Sequence, residues 1–595
     1  MAYRWEQGQQ PENPPTMPLQ SGQQYGQQQP QYGQQPQYGQ QPQYGQPQQP
    51  QYGGQQQYGQ QPQYGQQQQP QYGQQQYGQQ QPQYGQQPQY GAPAQPQPGW
   101  HQQGPVDFGG PAEPPAKKGG RGWIVAIAAA LAVILLGGGA YAVVSSGILG
   151  GGTQPHEVLP GNSVGYVRFD LNPDAGQKAA LLAISNKFTV TKGKYSEENP
   201  RKSIFDAIQK DSGGLKGIDY AKDVEPWLGD RLGAAVLPPA QAGGEPGFAV
   251  AVQVSDQEAA KAGIAKLIGK DGEYGLAFRD DYAILTDTQA NADKYATGSR
   301  LSENAKYTAD LAALDGDGVL SFWADFGKVM DLAGETIPAE QKAMADQLKN
   351  ASLIGALRFD SGFAELTGMV RGADFKTEGD LVKADLTKLP ATTAGAVSIS
   401  GLDQMITKYW GIYEKSLTAA GPEATQMIES FKQQAGLTLP DDLATLLGKN
   451  LTVVADAEGL DSDKPKVGLR IATDPGKAQA LLDKIQKMIS DTGTAVPELA
   501  KVPGDGVLTI ASSEEYAKAL NAEGALGDSE TFQTAIPSAG EATYAIFVDL
   551  DKVEKFYLKS LEGDAKANAE VLRAVGISSA QTDDTTSFSL RVLFN

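Results

Sequence analysis

Beyond residue 156 the chain resembles itself. LPGNSVGYVRFDL at Leu159 returns as LPATTAGAVSISGL at Leu389, and LGDRLGAAV at Leu228 returns as LGKNLTVVA at Leu447. FAVAVQVSDQEAAKAGIAKLI at Phe248 returns as KVGLRIATDPGKAQALLDKIQKMI at Lys466, and YAILTDTQANADKY at Tyr282 as GVLTIASSEEYAKA at Gly506. FWADFGKV at Phe322 is matched by IFVDLDKV at Ile546. The order is kept and the offset stays between 218 and 230 residues, which chance similarity does not explain. The pattern predicts two tandem copies, over residues 157–375 and 387–595.

Each copy alternates strand and helix signals. GYVRFDL, FAVAVQV and GVLSFWA carry the period-2 apolar pattern of strands with at least one buried face. Ser255 followed by Glu258 reads as a capping box ahead of the apolar stripe Ile264, Leu267 and Ile268. Thr473 is the corresponding cap in the second copy, ahead of Leu481, Leu482, Ile485 and Ile489. YGLAFRDDYAILTD reads as a hairpin turning at Asp280 and Asp281. The alternation is not strict βαβ, so the expected class is α+β, as two tandem homologous repeats with mixed or antiparallel sheets.

The first 121 residues cannot join such a core. Residues 20–99 hold eleven Tyr-Gly pairs separated by Gln and Pro, with almost no aliphatic side chain. Ordering a backbone costs about 1–2 kcal/mol per residue, and this composition buries too little apolar surface to offset it. A disordered tail is expected over 1–121, either as a spacer or as a segment that self-associates or recruits partners. Four positive and four negative side chains cancel there, so the net charge of -20 lies beyond residue 121. An acidic globular part repels phosphate backbones, which excludes nucleic acid as an expected partner.

Residues 122–146 then read as a transmembrane helix, followed by a Gly-rich linker over 147–156. The run follows Lys117, Lys118 and Arg121, and no formal charge returns before Glu157. Its length covers the ~30 Å hydrocarbon core. The flanking cations put the N-terminus inside and the C-terminal part outside the cell membrane.

The opening LPGNSVGYVRFDLNPDAG, the EPWLGDRLGAAV segment, the elements after it and the Pro/Gln/Gly-rich leader resemble an uncharacterised, largely actinobacterial and cyanobacterial family, domain of unknown function 3352. The resemblance implies a membrane-anchored envelope protein and supplies no activity or site residues. The functional expectation is a single-pass bacterial envelope protein whose duplicated extracytoplasmic domain binds an unidentified ligand or protein.

No catalytic, cofactor-binding or metal-binding residue is assigned, and no enzyme activity is expected. Cysteine is absent, which removes thiol nucleophiles, disulfides and Cys-based zinc sites. GNSVG around Ser163 matches a nucleophile pattern, but it precedes a strand instead of a helix, and Thr393 stands at its counterpart. HEVLP at His156 lacks the second histidine of a zinc motif, because Pro160 occupies that position. Asp315 and Asp317, and Asp456, Glu458, Asp461 and Asp463, depart from the calcium-loop spacing and read as solvated turns. Trp227, Trp323 and Trp410 read as core residues. Two alternatives remain: a hydrolase using paired carboxylates or a metal, with convergent acids in a cleft, and a carrier of lipid or another envelope precursor, with an apolar tunnel.

Overall fold

The computed structural model describes residues 152–595, apart from 194–198, 213, 214, 216, 242, 243, 270, 271, 334–344, 375, 376, 378, 420, 496 and 583. The period-2 segments form sixteen strands. In the first half these are β1 (Gly165–Asp170), β2 (Leu228–Leu237), β3 (Gly247–Val254), β4 (Gly275–Arg279), β5 (Tyr282–Thr286), β6 (Leu320–Asp325), β7 (Ser352–Asp360) and β8 (Phe363–Arg371). The second half supplies β9 (Thr393–Ser400), β10 (Asn450–Asp456), β11 (Val467–Ala472), β12 (Ala500–Pro503), β13 (Val507–Ala511), β14 (Tyr544–Asp549), β15 (Leu572–Gln581) and β16 (Thr585–Phe594).

All sixteen belong to one sheet, in the order β12-β13-β11-β10-β9-β14-β15-β16-β8-β7-β6-β1-β2-β3-β5-β4. This corrects the expectation of two tandem domains with a sheet each. The halves are joined by β16 and β8, whose antiparallel register runs from Thr585 opposite Arg371 to Leu593 opposite Phe363. Two separate sheets would leave both strands as long unpaired edges, which pairing removes. The sheet is antiparallel at each of these junctions and at the flanking β7–β8 and β15–β16 hairpins.

The expected transmembrane helix is also corrected. Among the described residues, no helix is long and apolar enough to cross a membrane. That finding removes support for the single-pass envelope topology and for a membrane as partner. Residues 122–146, where the span was expected, lie outside the described residues, as do the tail and the first half of the linker. The end of that linker is built into the fold instead: Pro155–Glu157 forms a turn of 3₁₀ helix, and Pro155 lies where a side chain at Gly233 of β2 would stand.

Helix starts fall one residue beyond the expected caps. Asp256 caps Gln257–Ile268 by accepting from the amide of Ala259, and Asp474 caps Pro475–Asp491 by accepting from Gly476 and Lys477. A carboxylate serves these amides and also favours the positive end of the helix dipole. Ser255 and Thr473 turn their hydroxyls to the carbonyls of Pro226 and Thr445. The hairpin turn lies at the expected place, between β4 and β5, with Asp280 at φ 53°.

One face of the sheet is core along both halves. It carries Tyr166, Ala235, Trp323 and Ile354 under the helix Ala305–Ala313, and Ala396, Ala545, Phe547 and Ala574 under the helices Glu514–Asn521 and Glu530–Ala535. The second face is packed only towards its ends. There the helix Ala175–Ser185 covers Phe169, Leu320 and Phe359, while Pro475–Asp491 covers Ile471, Leu508 and Ile510.

Candidate functional site

Ser163 and His156, which attracted attention in the sequence, are committed to structural contacts. Ser163 is fully buried and donates its hydroxyl to the carbonyl of Pro160 at 2.5 Å. His156 packs its ring against Tyr166 and Tyr307, and burial lowers its pKa from the ordinary value. Thr393, the counterpart of Ser163, is fully buried too, but its hydroxyl has no partner among the described residues.

Four of the six side chains named from the acidic turns have a cation within 4 Å. Glu458 meets Lys466 at 2.7 Å, Asp461 meets Lys555 at 2.7 Å, and Asp456 accepts from the Thr392 hydroxyl at 2.6 Å. Asp315 and Asp317 lie 3.8 Å from Arg358 and Arg168. Among the described residues no group of three or more His, Cys, Asp or Glu side chains could hold a metal ion. Trp227 and Trp323 are buried, whereas Trp410 is half-buried in a groove between the helices Leu402–Ala419 and Pro422–Ala435.

The distinctive surface is the middle of the second sheet face. Cross-strand register places Val453, Val397, Ile546, Ile577, Leu590, Leu366 and Leu357 side by side on seven consecutive strands. The row beside it reads Leu451, Ile399, Tyr544, Ser579, Phe588, Gly368 and Gly355. Neither row contains a charged side chain. Six spacings of about 4.8 Å make this floor about 29 Å across.

These side chains are not sealed. Val453 is 49% exposed, and Val397, Ile546, Ile577, Leu590 and Leu366 are half-buried. The alternation explains the asymmetry, because the same strands send their small residues to the packed face. Gly576 is the clearest case: a Cβ there would run into the carbonyl of Ala535, so the helix Glu530–Ala535 sits directly on the strand. Bulky aliphatics therefore crowd the face that helices leave open.

The floor is framed at both strand ends. Thr189 donates its amide and hydroxyl to Asn568 at 2.8 and 3.1 Å, beside the edge-to-face rings of Phe188 and Phe594. At the opposite end Gln347, just ahead of β7, and Tyr409, in the helix that follows β9, bond reciprocally at 2.8 and 3.0 Å. Their strands are five places apart in the sheet, so this contact ties the two sides of the floor together. The surface is an open floor, not the enclosed tunnel expected of a carrier.

Sequence reasoning missed the floor, since alternating strands do not reveal which face the helices choose. The hint available was that the alternate positions differ in size, as in Ala396 beside Val397 and Ala545 beside Ile546.

Residues 125–297 match the family described as Protein of unknown function (DUF3352), the family that the sequence resembles. The match stops before β6, so the floor strands lie outside it. No curated protein and no solved structure matches the chain.

Proposed function

We propose that the protein is a non-enzymatic binding protein whose ligand is an elongated hydrocarbon chain lying along the floor from Val453 to Leu357. The observation that carries this reading is the uncharged, half-open row of aliphatic side chains on seven strands. Open apolar surface of this continuity is rare on proteins without a bound partner, because covering it contributes roughly 25 cal/mol per Å².

The floor offers little to a polypeptide. Protein interfaces carry about one hydrogen bond per 100–200 Å² within a polar rim, whereas the two central rows present only the hydroxyls of Tyr544 and Ser579. A hydrocarbon needs no such partners. Its fit rests on area alone, with the framing contacts at Thr189 and Asn568 and at Gln347 and Tyr409 bounding it on either side.

The test is titration of the full chain with a pyrenyl fatty acid, read by fluorescence, beside the variants Val453→Arg and Ile546→Arg. Val453 is half exposed, so an arginine there leaves the fold intact while placing a charge on the floor. Affinity is expected to fall at least about tenfold, the equivalent of 1.4 kcal/mol. Equal binding by the parent and both variants would sink the reading.

A further inference from the structure

On the packed face of the sheet, one row of the second half is polar. Ser398, Thr452, Arg470 and Thr509 stand opposite one another on β9, β10, β11 and β13. Ser398, Thr452 and Asn450 close a ring of mutual hydrogen bonds at 2.8 to 3.3 Å. On the other side, the hydroxyl of Thr509 donates to Oδ1 of Asn521 at 2.5 Å. This fixes the orientation of that amide and leaves its NH₂ group without a partner among the described residues.

Arg470 stands between these two arrangements with nothing to bind. Its Nε is sealed from solvent and unpartnered, and burial lowers its pKa from the ordinary arginine value despite the attraction of Asp385. Three other arginines have a carboxylate within 4 Å: Arg168 and Arg231 share Asp170, and Arg591 has Glu365. Arg470 has none among the described residues. The residue as a whole is only half-buried, so its terminal nitrogens reach an opening.

We propose that Arg470 and the free amide edge of Asn521 form a binding site for a carboxylate supplied by a ligand. A guanidinium presents two parallel N–H groups that match a planar carboxylate, and desolvation makes an unmatched one unfavourable. One cation beside the negative Asp385 suits a monoanion and disfavours a phosphate dianion. The site lies on the face opposite the hydrocarbon floor, so it stands independently of that reading.

The experiment is thermal unfolding of the full chain in sodium acetate, sodium phosphate and sodium chloride at matched ionic strength, beside Arg470→Met and Asn521→Ala. Acetate is expected to raise the midpoint of the parent above its chloride value. Arg470→Met removes the cation at similar volume and should lose that increment while gaining stability in chloride. Asn521 is exposed, so Asn521→Ala remains folded and should show a reduced increment. An increment of equal size in all three proteins, no acetate increment in the parent, or a larger response to phosphate than to acetate would overturn the proposal.

Discussion

Arg168 holds the carboxylate of Asp170 at 2.6 Å, two residues further along β1, and both side chains are almost sealed from water. Arg231, directly opposite Asp170 on β2, approaches the same oxygen at 3.7 Å. One buried carboxylate therefore compensates two guanidinium groups. Arg168 is tied further to Gln154 and to the carbonyl of Gly318, which brings the end of the linker and the turn ahead of β6 into the same network.

Asp170→Asn keeps the shape and removes the charge. Losing one partner of a buried pair costs about 3–5 kcal/mol, because the partner left behind is buried without compensation. Here two cations are left, with only the partly exposed Asp317 at 3.8 Å from Arg168. Denaturant unfolding should place the variant at least about 3 kcal/mol below the parent, with a smaller deficit in the double variant Asp170→Asn, Arg231→Met. A loss below 1 kcal/mol would show that water reaches these guanidinium groups.

Acid should destabilise the first half through His156. Burial lowers its pKa, opposed by Glu157 and Asp317 and assisted by Arg168. The unfolded chain then binds the proton more readily than the folded one. Stability is complete above the ordinary histidine value of about 6.5 and declines as the pH falls towards the lowered folded value, by at most about 1.4 kcal/mol per pH unit. His156→Gln should flatten that part of the stability profile between pH 6.5 and 5. An identical profile in both proteins would mean that the ring between Tyr166 and Tyr307 titrates freely.

Gly576 tests why the helices choose the face they do. Any side chain there meets the carbonyl of Ala535, a backbone atom that cannot swing aside. Gly576→Ala should cost about 1–3 kcal/mol by overpacking, although β propensity alone would favour alanine. Ala580 occupies the same face two pairs along the strand without such a contact, so Ala580→Gly serves as the control for strand propensity and should cost less than about 1 kcal/mol. A neutral Gly576→Ala would show that the helix Glu530–Ala535 stands off the sheet.

Local features of this fold were legible because they depend on neighbours in the chain. The turn at Asp280 and Asp281 is set by the residues between two apolar runs, and the strand of Phe248 to Val254 by its own alternation. The caps were misplaced by one residue because Ser255 and Asp256, like Thr473 and Asp474, compete for the same role, and the charged side chain wins at each helix dipole. Pairing of β16 with β8 has no local signature, since the same alternating sequence suits a free edge or a central strand. Arg470 was invisible for a related reason: Thr452 and Thr509 become its neighbours only through the sheet.

Continuity of that sheet makes a calorimetric prediction. If the segments 157–375 and 387–595 were separate bodies, heating would separate them into two transitions. Their nine-pair seam, with Arg591 of β16 bonded to Glu365 of β8 at 2.9 Å and Ser589 to the same carboxylate at 2.7 Å, couples them instead. The full chain should unfold in one transition, with calorimetric and van't Hoff enthalpies in agreement. Leu590→Pro removes a ladder hydrogen bond at the centre of the seam and should lower the midpoint of the whole molecule. Two resolved transitions in the parent would mean that each half keeps its own core and that the seam contributes little to holding them together.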